Sequence, residues 1–284
     1  MDPIRRFGKP ALRRPHVVMA FEGWNDACDA ASGAAGYFLS QANIEEPFAA
    51  IEPEEFFDFQ AHRPQVEIDE GGTRSLSWPL TGFYAVPQPG RDHDLIVVLG
   101  DEPSHRWKTF SRSVTRVLAE HDAEQVVMLG AFIGQVAHTR PVPLIGVATD
   151  PALITRHHLM TSSYEGPTGI VGVLQEACRE VGLPALSLWA ATPHYLAANP
   201  NPKAMLALAK MASNVLNIGL DTSELEQIVA EFSTKVDEAM ASSGNFAEYV
   251  SQLEIDEGDG PVAGLDPRMS GELVTEIEDF LREY

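Results

Sequence analysis

Five groups of polar residues in this chain carry side chains suited to chemistry. Glu22, Trp24, Asn25 and Asp26 form the first; Asp101, Glu102, Ser104, Arg106 and Trp107 the second; Gln135, His138, Thr139 and Arg140 the third. Tyr164, Glu165, Gly166, Pro167, Thr168 and Gly169 stand where a helix is expected to begin, so backbone amides there are placed to hold an anion or a carboxylate. His194 and Tyr195 make the fifth. A carboxyl group drawn partly out of water gains proton affinity, so Glu102 beside Asp101 could serve as a general acid or base, with Arg106 or Arg140 clamping an anionic group and His138 as a further base. A quieter arrangement uses the same residues: Glu102 paired with Arg106 one helical turn on, and Trp107 in the core. Trp24 could stack a base or sugar ring, or simply pack. The catalytic candidates are thus Glu102, Arg106 and His138. The binding candidates are Glu22, Trp24, Asn25, Asp26, Ser104, Arg140, Tyr164, Glu165, Thr168 and His194.

These groups need strands to bring them together. Val17 to Phe21, Leu95 to Leu99, Val126 to Leu129, Leu144 to Ala148 and Leu186 to Ala190 are short Val-, Ile- and Leu-rich runs without polar alternation, as a parallel sheet covered on both faces requires. Helical stripes lie between them. Trp107, Phe110, Val114, Val117 and Leu118 make one, and Ile170, Leu174, Ala177 and Val181 another, with Pro167 expected at the first helical position and Gly182 past the end. Strand and helix in alternation predict an α/β fold whose strand carboxyl ends form a ligand crevice, where the polar groups converge. The segments Thr73 to Pro79 and Phe83 to Pro87 break the rhythm and read as a β-hairpin insertion, at about 66–87, turning at Thr81 and Gly82. Its Trp78, Phe83 and Tyr84 favour an oligomer contact.

Asn199-Pro200-Asn201-Pro202 is linker-like and divides the chain into an α/β core, 1–220, and a helical region, 221–284, that is a possible lid. Leu225, Ile228, Val229, Phe232, Val236 and Met240 follow a capping box of Ser223 and Glu226; Phe246, Tyr249, Val250 and Leu253 form a second helix, and a third is expected after Ser270. That region holds 17 acidic and 3 basic residues out of 41 and 20 in the whole chain of 284. A net charge of -21 repels phosphate backbones and anionic lipid, so neither nucleic acid nor a membrane is expected as partner. Two cysteines, Cys28 and Cys178, in no ligand-like spacing argue against a disulfide scaffold or a Cys-based zinc site, and fit a reducing cytoplasm. No cofactor or metal is expected: Walker A, GxGxxG, GxSxG and HExxH signatures are absent, and His157 and His158 cannot face one way from a regular element. Gly33 and Gly36 are read as helix-packing positions. No secretion signal or spanning helix is expected.

Taken together, FEGWNDACDAAS from Phe21, DEPSHRW from Asp101, HTRPVP from His138, YEGPTGIVGVL from Tyr164, SLWAATPHY from Ser187 and NPKA from Asn201 resemble the proteasome assembly chaperone 2 family, in its actinobacterial branch, over nearly the whole chain. The resemblance implies a Rossmann-like core akin to purine nucleoside phosphorylases, with a hairpin insertion and a helical carboxyl-terminal region, and a homotrimer. Two functions follow as expectations. One is an assembly-chaperone-like protein that binds a ligand or a partner at the strand carboxyl edge. The other is a hydrolase- or phosphorylase-like enzyme acting on a small anionic or nucleoside-like substrate.

Overall fold

The computed structural model describes residues 2–69, 71–241 and 244–256. Its strands are β1 (Ile4–Arg6), β2 (His16–Glu22), β3 (Ala49–Ile51), β4 (Gln65–Ile68), β5 (Arg74–Ser77), β6 (Thr81–Val86), β7 (Leu95–Asp101), β8 (Gln125–Gly134), β9 (Leu144–Ala148), β10 (Met160–Thr161) and β11 (Ala185–Pro193). The helices are α1 (Ala30–Ala42), α2 (Trp107–Glu120), α3 (Pro151–Arg156), α4 (Ile170–Glu180), α5 (Pro202–Leu216), α6 (Ser223–Ala241) and α7 (Gly244–Asp256). Nine strands form one mixed sheet in the order β1-β3-β6-β7-β2-β8-β11-β9-β10. The central β7, β2, β8 and β11 run parallel, while β6 against β7 and β9 against β11 are antiparallel.

The unbroken apolar strands are explained by burial on both faces. Successive side chains of β2 point to opposite sides of the sheet. Val18 and Ala20 join Val97, Val127, Leu129, Leu186 and Leu188 beneath α1 and α5. Val17, Met19 and Phe21 join Ile96, Val98, Val126 and Met128 beneath α2 and α4, where Phe110 meets Phe21 and Phe56 edge-on. Gly33 allows α1 and α5 to approach, since a Cβ there would lie 2.2 Å from Met205 Cε. The chain is a mixed α/β protein, and no helix among the described residues is long and apolar enough to cross a membrane.

Three expectations are corrected. The hairpin pairs β4 with β5, Val66 opposite Leu76, whereas Phe83 and Tyr84 lie in β6 within the main sheet, because β7 offers them a ladder. Helix α4 starts at Ile170, not Pro167, with Gly169 at its N-cap. Glu226 takes its side-chain hydrogen bond from Thr222 Oγ1 at 2.8 Å, while Ser223 Oγ donates to Asp221, so the capping pair is shifted by one residue. The helix expected after Ser270 lies outside the described residues.

Close strand packing makes glycine identity testable. A Cβ on Gly100 would stand 2.4 Å from the Leu80 carbonyl oxygen and 2.7 Å from Thr81 Cα, both backbone. Gly100→Ala is therefore expected to cost about 1–3 kcal/mol in urea unfolding. Gly36, inside α1 with nothing within 4 Å, is the contrast: Gly36→Ala should add about 0.5–1 kcal/mol.

Candidate functional site

The carboxyl ends of the parallel strands do collect polar groups, in two clusters. The first is centred on Glu102. Its amide donates to Glu22 O at 2.9 Å, and its Oε1 accepts from Asn25 Nδ2 and from the Ile170 amide, each at 2.7 Å. The carboxylate thus caps the start of α4, where the helix dipole favours negative charge. Asn25 is wholly buried, and a Cβ on Gly169 would fall 2.3 Å from Asn25 Oδ1, so glycine lets α4 begin against this side chain. Asp26 likewise caps α1: its Oδ1 accepts from Ala31 N at 2.7 Å and Ser32 N at 3.1 Å, and burial, the dominant effect, raises its carboxyl pKa. The turn between β2 and α1 is tight, with Gly23, Cys28 and Asp29 at φ of 108, 58 and 50°. Such backbone is held only where surroundings over-determine it.

The second cluster lies at the ends of β8 and β11. His138 Nδ1 is 2.8 Å from the Tyr195 hydroxyl, which also accepts from the His138 amide, and Nε2 is 3.2 Å from Asp237 Oδ1 on α6. A carboxylate only accepts, so Nε2 carries the proton in the neutral ring and the phenol donates to Nδ1. Burial lowers the His138 pKa, outweighing the opposing hydrogen bond and charge of Asp237. His194 Nε2 meets Tyr249 Oη of α7 at 3.0 Å, and Lys203 Nζ donates to the carbonyls of His138 and Arg140 at 2.5 and 2.7 Å. Around these groups Ala137, Tyr195, Leu196, Val236, Met240, Val250 and Leu253 form an apolar cluster, so α6 and α7 cover this half of the edge. The remaining cavity, with His138, Arg140, Lys203 and Phe232 on its walls, is about 20 Å³, room for about one water.

Several candidates lie elsewhere. Arg106, at the N-cap of α2 with φ 56°, pairs with Glu55 Oε2 at 2.5 Å and not with Glu102. Ser104 Oγ accepts from Asp58 N at 3.1 Å. Both therefore face the 53–62 segment. Arg140 and Glu165 are exposed; Thr168 Oγ1 reaches only its neighbour Gly169 O, at 3.5 Å. Trp24 and Tyr164 are 62% and 63% exposed, so neither belongs to the core. Glu22 ends β2 at the surface, its carboxyl pKa raised by desolvation and then by Asp101, Asp26 and Asp29. Cys28 is buried, and burial pushes its thiol pKa up, away from nucleophilic use. Sequence reasoning missed Asp237 and Tyr249 as parts of the site, because nothing singles them out within their helices. Lys203 carried one signal, its place at the first turn after Asn201.

A family model for the PAC2 family matches residues 20–240. The chain belongs to the PAC2 family. A PAC2 protein from Streptomyces avermitilis is 44% identical, with a TM-score of 0.76 over 83% of this chain and 99% of its own. A Mycobacterium tuberculosis proteasome-assembly chaperone homologue is 39% identical, also at TM-score 0.76, over 82% and 99%. An archaeal proteasome activator from Pyrococcus furiosus shares the fold at 17% identity, with TM-score 0.64 over 83% and 97%. No curated protein matches the chain. In this PAC2 chain Glu102 and Asn25 stand at the joint of β2, β7 and α4, where they bind each other.

Two outcomes test these assignments. Glu102→Ala strands the buried Asn25 amide and the Ile170 N–H, and should cost about 1–3 kcal/mol in unfolding free energy, with Glu102→Gln costing less. A free energy unchanged in Glu102→Ala would refute the capping role. The native His138 binds fewer protons than its unfolded counterpart below its ordinary pKa of 6.5. Stability should therefore fall as pH drops below about 6.5 toward the lowered native value, and His138→Gln should flatten that part of the wild-type stability curve.

Proposed function

We propose that this PAC2 protein is a cytoplasmic homo-oligomer, a trimer built on Rossmann-like, purine nucleoside phosphorylase-like cores, that binds a protein partner as an assembly chaperone does. The observation that carries this is the β4–β5 ribbon. Val66 and Ile68 alternate along β4, Leu76 lies opposite Val66 and Arg74 opposite Ile68, so these four share one face, while Gln65, Glu67, Ser75 and Ser77 occupy the other. Val66, Ile68 and Leu76 are 52, 64 and 55% exposed. An isolated two-stranded ribbon is marginal in water and gains stability when its apolar face is covered. Here only Trp78, just beyond β5, has an aromatic neighbour in the same chain, Phe59 at 4.8 Å. A second copy covering the apolar face removes this exposed surface from water.

Support for a protein partner comes from the proteasome-assembly homologue and from the way the carboxyl edge is built. Glu102 binds the Asn25 amide and the first amide of α4, α6 and α7 act as a lid over His138, and the arginines expected to clamp an anion face away or stay at the rim. Trp24 and Tyr164 offer exposed rings near that edge for recognition. The parallel core strands with helices on both faces support the phosphorylase-like fold, and the acidic charge of the chain disfavours nucleic acid. The hydrolase- or phosphorylase-like alternative needs Glu102, Arg106 and His138 in one site, whereas Arg106 pairs with Glu55, Glu102 with Asn25 and His138 with Tyr195 and Asp237.

Light scattering on the purified full chain tests the reading. The wild type should run as a trimer, and Ile68→Lys combined with Leu76→Lys as a folded monomer with unchanged circular dichroism. A monomeric wild type, or a trimer indifferent to both substitutions, would refute the ribbon as the contact.

A further inference from the structure

At the opposite, amino-terminal edge of the sheet, three side chains meet that the crevice does not use. His16 is the first residue of β2, Glu124 directly precedes β8, and His93 lies shortly before β7. Backbone hydrogen bonds lock these strand starts together: His16 N to Asp94 O at 2.9 Å, Glu124 N to Pro15 O at 3.0 Å, and Asp94 N to Arg13 O at 3.1 Å. One ligand atom from each of His16, His93 and Glu124 lies within 4.8 Å of the others. The two imidazoles stack with centroids 4.0 Å apart and planes 14° from parallel.

The hydrogen bonds of the two rings decide what they can offer. His16 Nδ1 lies 2.8 Å from Leu216 O, and His93 Nδ1 lies 2.9 Å from Arg14 O. A carbonyl oxygen only accepts, so each Nδ1 carries the proton and each Nε2 keeps its lone pair. His16 is held as a ligating histidine is, its second N–H bound to a backbone carbonyl that fixes the tautomer and ring orientation. Glu124 supplies the negative charge; its Oε2 is 3.5 Å from His93 Nδ1 and its Oε1 pairs with Arg14 Nε.

We propose that His16, His93 and Glu124 form a divalent transition-metal site of the zinc class that clamps the starts of β2, β7 and β8. Two imidazoles and one carboxylate suit Zn²⁺, Co²⁺ or Ni²⁺, whereas Mg²⁺ and Ca²⁺ take oxygen donors. Ligand bonds of about 2.0–2.2 Å draw the three groups closer than they stand. His16 is buried and stays as the anchor, while His93 and Glu124, with side chains 24 and 32% exposed, turn out of the ring stack and away from Arg14 to bring their donor atoms to the metal. Solvent completes the coordination.

Co²⁺ titration of chelator-treated full-length protein, followed by visible absorption, and Zn²⁺ titration followed by calorimetry and melting temperature test this. About one metal per chain should bind, with a rise in Tm. His93→Ala and Glu124→Gln should each weaken binding by at least about tenfold. Arg14→Gln, which removes the competing cation from Glu124, should retain or tighten it. A folded wild type with no cobalt absorption and no Tm change overturns the proposal. So does binding that survives His93→Ala and Glu124→Gln together, since that would place the metal on the acidic carboxyl-terminal region.

Discussion

The central strand β2 is hydrogen-bonded to β7 on one side and to β8 on the other, with helices over both of its faces. Most other features of this molecule depend on that enclosure. A backbone buried on every side must satisfy each N–H and C=O through the ladder, which leaves β2 one register and one direction. Its amino end therefore delivers His16 beside His93 and Glu124. Its carboxyl end delivers Glu22 beside Asp101, with the Gly23–Asp29 turn folded over the sheet edge.

At that carboxyl edge, removal from water determines what the polar groups do. Buried carboxylates and amides are costly unless paired, and here one oxygen of each carboxylate takes a helix start, while Asn25 Oδ1 and Asp26 Oδ2 have no hydrogen-bond partner among the described residues. Glu102 takes the α4 amide and Asn25, Asp26 takes two amides of α1, and His138 lies between Tyr195 and Asp237. In this PAC2 chain they join strands to helices, and α6 and α7 are tied to the core through the same contacts. The edge is built as a joint.

The β4–β5 ribbon adds exposed apolar surface away from that edge, with Val66, Ile68 and Leu76 on one face beside Arg74. Ribbon and closed edge are consistent with a protein that works by contact.

The amino-acid sequence by itself determined four buried parallel strands, the helices that cover them, the acidic charge and the family, whereas the fifth run, Leu144–Ala148, is partly exposed and runs antiparallel to β11. All of these rest on local periodicity or on strings of adjacent residues. It also placed Glu102, Asn25 and His138 near strand ends correctly. Only tertiary structure decided their partners. Arg106 is one helical turn from Glu102 in sequence, yet its backbone at φ 56° directs it to Glu55, 51 residues away, and Asp237 reaches His138 across 99 residues. Ribbon pairing was misread for a related reason: Phe83 has strand character whether it pairs in a hairpin or with β7, and only the sheet selects between them. His16, His93 and Glu124 carry no spacing motif at all, since the register of three strands alone makes them neighbours. Periodicity reports which face of an element is buried, but a side chain's partner depends on where distant backbone lies, and packing alone decides that.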